Sequence, residues 1–88
     1  MADDWQPVPR AEPTAVAAYY DAHLDRVVVR LRGGLQVAFP PSAAPGLETA
    51  TAADLAKIEI SPSGLGIHFP RVDADLYVPG LVKDFGSA

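Results

Sequence analysis

Proline and glycine occur so often along this chain that no long helix can form. The 88 residues include nine prolines and seven glycines. Proline fixes φ and lacks a backbone donor, and glycine favours turns, so both interrupt regular structure. Cysteine is absent, which leaves no disulfide or thiolate metal site to stabilise a small core. Because 49% of the residues are apolar, we expect one thin-cored domain of short elements.

The first residues differ in composition from the rest of the chain. Residues 1–13 contain three prolines and two adjacent aspartates, a pattern that predicts an extended arm. Trp5 is its one large apolar side chain, and we favour its packing on an edge of the core over a partner contact. Residues 14–86 are predicted to form a single domain.

The first half of this domain alternates apolar and polar residues with the period of β-strands. The alternation predicts three antiparallel strands over residues 14–20, 26–31 and 35–39. A four-residue loop gives the first hairpin the apolar pairs Tyr20–Val27, Ala18–Val29 and Val16–Leu31. A three-residue loop ending at Gly34 gives the second hairpin the pairs Leu31–Leu35, Val29–Val37 and Val27–Phe39.

The second half of the domain contains sequence patterns for both short helices and short strands. Thr51 and Asp54 predict a capped helix over residues 52–56. Two further strands are predicted over 57–60 and 65–69, with Ile60 opposite Leu65 and Ile58 opposite Ile67. Residues 73–82 have an aspartate cap signal and helical spacing, with Pro79 interrupting them.

These elements define an expected architecture. We predict an α+β domain that contains a small antiparallel, hairpin-rich sheet of about five strands. Short helices pack on one face of that sheet.

Three blocks of the second half resemble a known family. They are LETAT at residues 47–51, IEISPSG at 58–64 and DADLYVPGL at 73–81. With Gly33-Gly34 and residues 39–41, they are similar to the domain of unknown function 2442 family of small bacterial proteins, over residues 14–86. The resemblance implies a small α+β fold and membership of a two-gene, toxin–antitoxin-like pair. It implies no catalytic residues.

The charge of the chain limits its expected partners. The net charge of −4 weakens long-range attraction to nucleic acid or to an anionic membrane. No apolar run reaches the roughly 18 residues of a membrane span, and no export signal is visible. We therefore expect a cytoplasmic protein with no membrane association and no cofactor.

Three arginines within seven residues form the first candidate site: Arg26, Arg30 and Arg32. On the outer face of a strand they would form a basic row that binds an acidic protein or a phosphate backbone. The alternative is cross-strand pairing with Asp21 and other carboxylates, together with solvation.

The apolar C-terminal segment is the second candidate site. Tyr77, Leu81 and Phe85 exceed what a thin sheet needs to cover itself, and would form a partner or homodimer surface. The alternative is that they cover the open side of the sheet.

His68 is the centre of the third candidate site. With Asp73, Asp75 and Glu59 it would bind a divalent metal or act as a general base. The simpler interpretation is that an aspartate caps the following turn and His68 forms a hydrogen bond to one of these acids.

These candidates lead to ranked functional hypotheses. The first is a non-enzymatic protein-interaction module, the regulatory or neutralising (antitoxin-like) member of a small bacterial gene pair, with a toxin-like neighbour as its partner. The alternative is a nucleic-acid-binding regulator that uses the arginine row. A metal-dependent enzyme at His68 and Asp73 ranks third.

Overall fold

The computed structural model describes residues 13–86 and confirms the α+β class. The part of the chain that it describes contains six strands in two antiparallel three-stranded sheets, instead of about five strands in one sheet. The predicted proline-rich arm, with Trp5, lies outside the described residues apart from Pro13. The elements are β1 (Ala15–Asp21), β2 (Arg26–Leu31), β3 (Gln36–Phe39), a 3₁₀ turn (Pro41–Ala43), α1 (Ala52–Leu55), β4 (Glu59–Ile60), β5 (Gly66–Phe69), β6 (Ala74–Tyr77) and α2 (Val78–Phe85).

The first sheet has the strand order β1-β2-β3. The predicted pairs Tyr20–Val27 and Ala18–Val29 are confirmed. The predicted pairing of Val16 with Leu31 is wrong, because a β-bulge lets Ala15 take that position. A bulge adds one residue to a strand and so reverses which side chains face inward beyond it. Ala15 is accordingly buried, and Val16 is 47% exposed.

The hairpin between β2 and β3 has the predicted register and loop. Val27 lies opposite Phe39 and Val29 opposite Val37. The loop glycines, Gly33 and Gly34, both have positive φ, which favours glycine over any residue with a Cβ. The predicted inward position of Leu35 is wrong: its side chain is 75% exposed. Leu35 precedes β3 in the structure, beyond the part of the strand that the core covers.

The second sheet has the strand order β4-β5-β6, and its predicted register is wrong by two residues. Ile60 lies opposite Ile67, where Leu65 was expected. The cause is Ser61, whose backbone N–H donates to the Gly66 carbonyl at 2.9 Å, and whose hydroxyl accepts from the Gly66 N–H at 3.0 Å. A shift of two residues preserves the face of every side chain, so Ile67 is still buried.

Strand β6, Ala74–Tyr77, takes the place of the first of the helical turns predicted over residues 73–82, whereas residues 78–82 are helical in α2. Ala74 and Leu76 are buried while Asp75 and Tyr77 are exposed, which is the period of a strand. Asp73, with φ of 52°, lies in the turn before β6. Pro79 does not interrupt a helix but lies in the first turn of α2, where a missing backbone N–H costs nothing.

Helix α1 begins with the predicted cap. The Asp54 N–H donates to Thr51 Oγ1 at 3.1 Å, and the Thr51 N–H donates to Asp54 Oδ2 at 3.0 Å. This capping box satisfies two amides that a helix start leaves free. The helix ends at Leu55, one residue earlier than predicted. A helix this short depends on packing, which the buried side chain of Leu55 supplies.

The two sheets share one hydrophobic core. It combines residues from the inner faces of both sheets with residues of the helices and of the connection after β3. Its largest fully buried side chains are Phe39, Phe69, Leu47, Leu55, Ile67, Val27, Val29 and Val78. Leu47 is fully buried and anchors the connection between β3 and α1 to this core. Since neither three-stranded sheet can bury its apolar face alone, each depends on the other.

Gly64 lies at the junction of the two sheets. Its carbonyl accepts a hydrogen bond from the Ala15 N–H at 2.7 Å, which ties β1 to the loop between β4 and β5. A Cβ at Gly64 would lie 2.9 Å from the Thr14 Cβ and 3.1 Å from the Ala15 oxygen. The backbone there also has a φ of +78°. The close contacts and the positive φ therefore both require glycine at position 64.

We expect Gly64→Ala to destabilise the fold more than Gly33→Ala. Both positions have positive φ, which costs an alanine about 1–2 kcal/mol. Only Gly64 adds a clash, since a Cβ at Gly33 meets nothing within 4 Å, and overpacking adds about 1–3 kcal/mol. Urea unfolding of both variants measures the difference. Equal destabilisation would show that the junction is not tightly packed.

Candidate interaction surface

The outer face of the first sheet combines apolar and basic side chains. We call Tyr19, Arg26, Val28 and Arg30 the arginine face. Val28 lies opposite Tyr19 on β1 and Ala38 on β3. Although it points away from the shared core, Val28 is only 6% exposed, while Tyr19 is 45% exposed. A buried valine therefore lies at the centre of an otherwise exposed face.

Two of the three predicted arginines lie on this face. Arg26 and Arg30 are both exposed and are two positions from Val28 along β2. Arg32 is exposed in the following turn, where its backbone N–H donates to the Thr14 carbonyl at 2.9 Å. The predicted row of three is thus a pair on the sheet, with Arg32 beyond the end of the strand.

The two arginines of this face differ in their contacts. Arg26 lies opposite Asp21, but its Nη1 donates to the Leu24 and Asp25 carbonyls at 3.2 and 3.0 Å. Arg30 lies opposite Ala17 and Gln36. Within residues 13–86 the structure shows no ion pair for Arg30. A ligand carboxylate can therefore approach its guanidinium without displacing a carboxylate from the described part of the chain.

The first hairpin loop is fixed by its own aspartates. The Asp21 carboxylate accepts from the backbone N–H groups of His23 and Leu24, at 2.9 and 3.2 Å. The Tyr20 hydroxyl donates to Asp25 Oδ1 at 2.6 Å. This hydrogen bond, with smaller contributions from burial and from the negative charges of Asp25 and Asp21, raises the pKa of Tyr20 above its ordinary value. The loop thus holds its end of the arginine face in one geometry.

The C-terminal segment covers the core. Leu81 is only 6% exposed, and the Phe85 ring stacks on Phe39 with centroids 5.1 Å apart. Of the three residues predicted there as partner contacts, the structure exposes Tyr77, on the outer face of the second sheet, at 56%. Leu81 and Phe85 instead make contacts within the fold, as the alternative interpretation expected.

The histidine constellation lies in one row across the second sheet. Glu59 on β4, His68 on β5 and Asp75 on β6 are register neighbours. His68 Nδ1 lies 2.8 Å from Asp75 Oδ1, whereas Asp73 lies in the turn before β6. No cluster of three potential metal ligands occurs among residues 13–86. Within this row, His68 and Asp75 therefore form a hydrogen-bonded pair on the surface of the sheet.

Sequence reasoning underestimated the apolar part of the arginine face. The alternation along residues 26–31 places Val28 on the outer face with Arg26 and Arg30, and the structure buries this valine. The signal was present in the run Val27-Val28-Val29, which breaks the alternation of a half-buried strand. A strand with valine at three successive positions is apolar on both of its faces.

The fold and this surface define a small two-sheet α+β domain with a mixed apolar and basic face. The family model for "Protein of unknown function (DUF2442)" matches residues 15–87. The chain belongs to this family, as the sequence blocks indicated. No curated protein matches the chain. Within the described part of the chain, no helix is long and apolar enough to cross a membrane.

Two solved structures are similar to this chain. One is a protein of unknown function from Rhodospirillum rubrum, 41% identical, with a TM-score of 0.80, covering 89% of this chain and 94% of that one. The other is an uncharacterized protein from Chromobacterium violaceum, 31% identical, with a TM-score of 0.72. That match covers 80% of this chain and 64% of the other. The fold is therefore shared across these bacterial proteins.

We expect Asp25→Asn to lower the pKa of Tyr20 toward its ordinary value, because the hydrogen bond to the Asp25 carboxylate is the largest cause of its rise. Asparagine tolerates the φ of 53° at this position, so the loop should keep its shape. Tyrosinate absorbance against pH, in a Tyr19→Phe and Tyr77→Phe background, isolates Tyr20. Asp21→Asn should cause a smaller shift, since Asp21 is the weakest cause. An equal or larger shift from Asp21→Asn would contradict this ordering.

Proposed function

We propose that this protein is a non-enzymatic protein-interaction module, the regulatory or neutralising member of a small bacterial gene pair. Its contact surface is the arginine face, and its partner is an acidic protein encoded by the neighbouring gene. The observation that carries the proposal is the exposure of Tyr19 and Arg30 around the buried Val28.

The position of the helices supports this assignment. The buried residues of α1 and α2, namely Leu55, Val78 and Leu81, belong to the core that the two inner sheet faces share. Neither helix therefore covers the outer face of the first sheet. A sheet face that neither helix covers, with an exposed aromatic ring and exposed arginines, is the kind of surface on which protein partners bind.

The chemistry of the face favours an acidic partner. Tyrosine and arginine are enriched among the residues that contribute most to binding energy. Arginine binds carboxylates through two parallel hydrogen bonds, and Arg30 has neutral neighbours in its own sheet. In a chain of net charge −4, this local positive charge would also orient an acidic partner during encounter.

The resemblance to the family supports a role in a gene pair. Members often look like one half of a two-gene, toxin–antitoxin-like pair, in which a small domain acts by binding its neighbour. Such a role needs a surface and no catalytic group. We also propose that the protein acts in the cytoplasm, the compartment expected from its sequence.

We expect Arg30→Glu to weaken binding to the neighbouring gene product at least about tenfold, which corresponds to about 1.4 kcal/mol. The reversed charge would repel the acidic partner at the centre of the contact. The matched control is Arg71→Glu, because Arg71 is also exposed but lies in the turn between β5 and β6. Isothermal titration calorimetry compares both variants with the wild type, and Tyr19→Ala tests the aromatic contact.

Three results would count against the proposal. The first is the absence of a complex with the neighbouring gene product. The second is equal weakening by Arg30→Glu and Arg71→Glu, since that would reflect net charge alone. The third is binding to generic duplex DNA that falls steeply with salt and requires Arg30, because it would assign the same face to the nucleic-acid-binding alternative.

A further inference from the structure

Among residues 13–86, strand β3 has one edge that pairs with no other strand. Leu31 and Leu35 form a hydrogen-bonded pair, with N···O of 2.8 Å. Hydrogen-bonded and non-hydrogen-bonded pairs alternate along an antiparallel ladder. The backbone N–H and C=O groups of Gln36 and Ala38, which lie opposite Arg30 and Val28, therefore point away from β2.

These groups find no partner within residues 13–86. The structure shows no hydrogen bond to the backbone of Gln36 or Ala38 from any other element or side chain. Both residues are exposed. Helix α2 contacts β3 through the inward-facing Phe39, on which Phe85 stacks, so the helix packs beneath the strand. An edge of this kind is a template for another strand.

We propose that β3 pairs with the β3 of a second copy of this chain, antiparallel about a twofold axis at Val37. In this register Gln36 of each copy lies opposite Ala38 of the other. Four backbone hydrogen bonds form, two in each of the two equivalent Gln36–Ala38 pairs. The pairing joins the two first sheets into one sheet of six strands.

The charge of the strand favours a second copy as the occupant. Each chain has a net charge of −4, so two copies repel unless they meet at a neutral surface. The sequence of β3, QVAF, contains no charged residue. Self-pairing therefore brings only neutral side chains opposite one another.

Leu35 supplies apolar area for the same contact. Its side chain is 75% exposed although it precedes β3 directly. The proposed register places Leu35 of one copy opposite Phe39 of the other. Pairing would thus bury the largest exposed aliphatic area next to the free edge.

The other edges explain why assembly stops at two copies. The start of the β1 edge is engaged by the Ala15–Gly64 hydrogen bond. In the second sheet, the edge strands β4 and β6 carry the exposed carboxylates of Glu59 and Asp75, which oppose pairing with their own kind. Pro40, directly after β3, has no N–H with which to extend the ladder. An isologous dimer is closed by its own symmetry.

The test compares two double variants of the full chain. In Q36K/A38K each new lysine lies opposite a lysine of the second copy, whereas in Q36K/A38E each lysine lies opposite a glutamate. Both positions are exposed, so both variants should fold, which circular dichroism and thermal unfolding check. Sedimentation equilibrium between about 10 µM and 1 mM covers the range expected for a small interface.

We expect the wild type to dimerise, Q36K/A38K to weaken the dimer at least about tenfold, and Q36K/A38E to retain it. Net charge cannot cause such a loss, because Q36K/A38K makes the chain less negative and so reduces overall repulsion. Amide exchange by NMR should show concentration-dependent protection at Gln36 and Ala38. A wild type that is monomeric throughout, or a dimer that Q36K/A38K leaves intact, overturns the proposal. Neither result depends on Arg30 or on the neighbouring gene product.

Discussion

The shared core is the constraint on which the rest of the structure depends. Each sheet has three strands and an inner face whose apolar side chains belong to the shared core, and such a face must be buried against another element. The fold is stable because the two faces and α2 bury one another's side chains. The contact between Gly64 and Ala15 matters for this reason: it joins the start of β1 to the loop between β4 and β5, where the two sheets meet.

Strand pairing in the first sheet could be predicted, because short loops there join strands whose apolar faces match. The two hairpins of the first sheet followed from matching Val27 and Val29 with their partners, because a slip of one residue would expose them. The bulge at Val16 was not predictable, since it arises where β1 meets the second sheet. The second sheet was mispredicted because the Ser61 hydroxyl sets its register. Asp73, read as a helix cap, in fact precedes a strand.

For the candidate site, the residue types could be predicted from the sequence better than the positions of their side chains in the fold. The spacing of Arg26 and Arg30 put them correctly on one face of β2. Leu81 and Phe85 are available to a partner only if the fold does not need them to cover its own core. How much of the core the two sheets leave uncovered depends on tertiary packing, which cannot be derived from residue counts. The stacking of Phe85 on Phe39 answered that question. Among the predicted contact residues, the proposed function therefore uses those on the outer face of the first sheet.

The order of elements along the chain has a consequence for synthesis. The first sheet is complete when Phe39 has been made, but much of what covers its inner face, including Phe69, Val78 and Leu81, comes from the last third of the chain. A chain synthesised only as far as Phe39 would thus leave the valine-rich inner face of the first sheet uncovered. Because a sheet must bury its apolar face against another element, the first sheet depends on residues that are synthesised much later, and truncation within α2 would remove part of that cover.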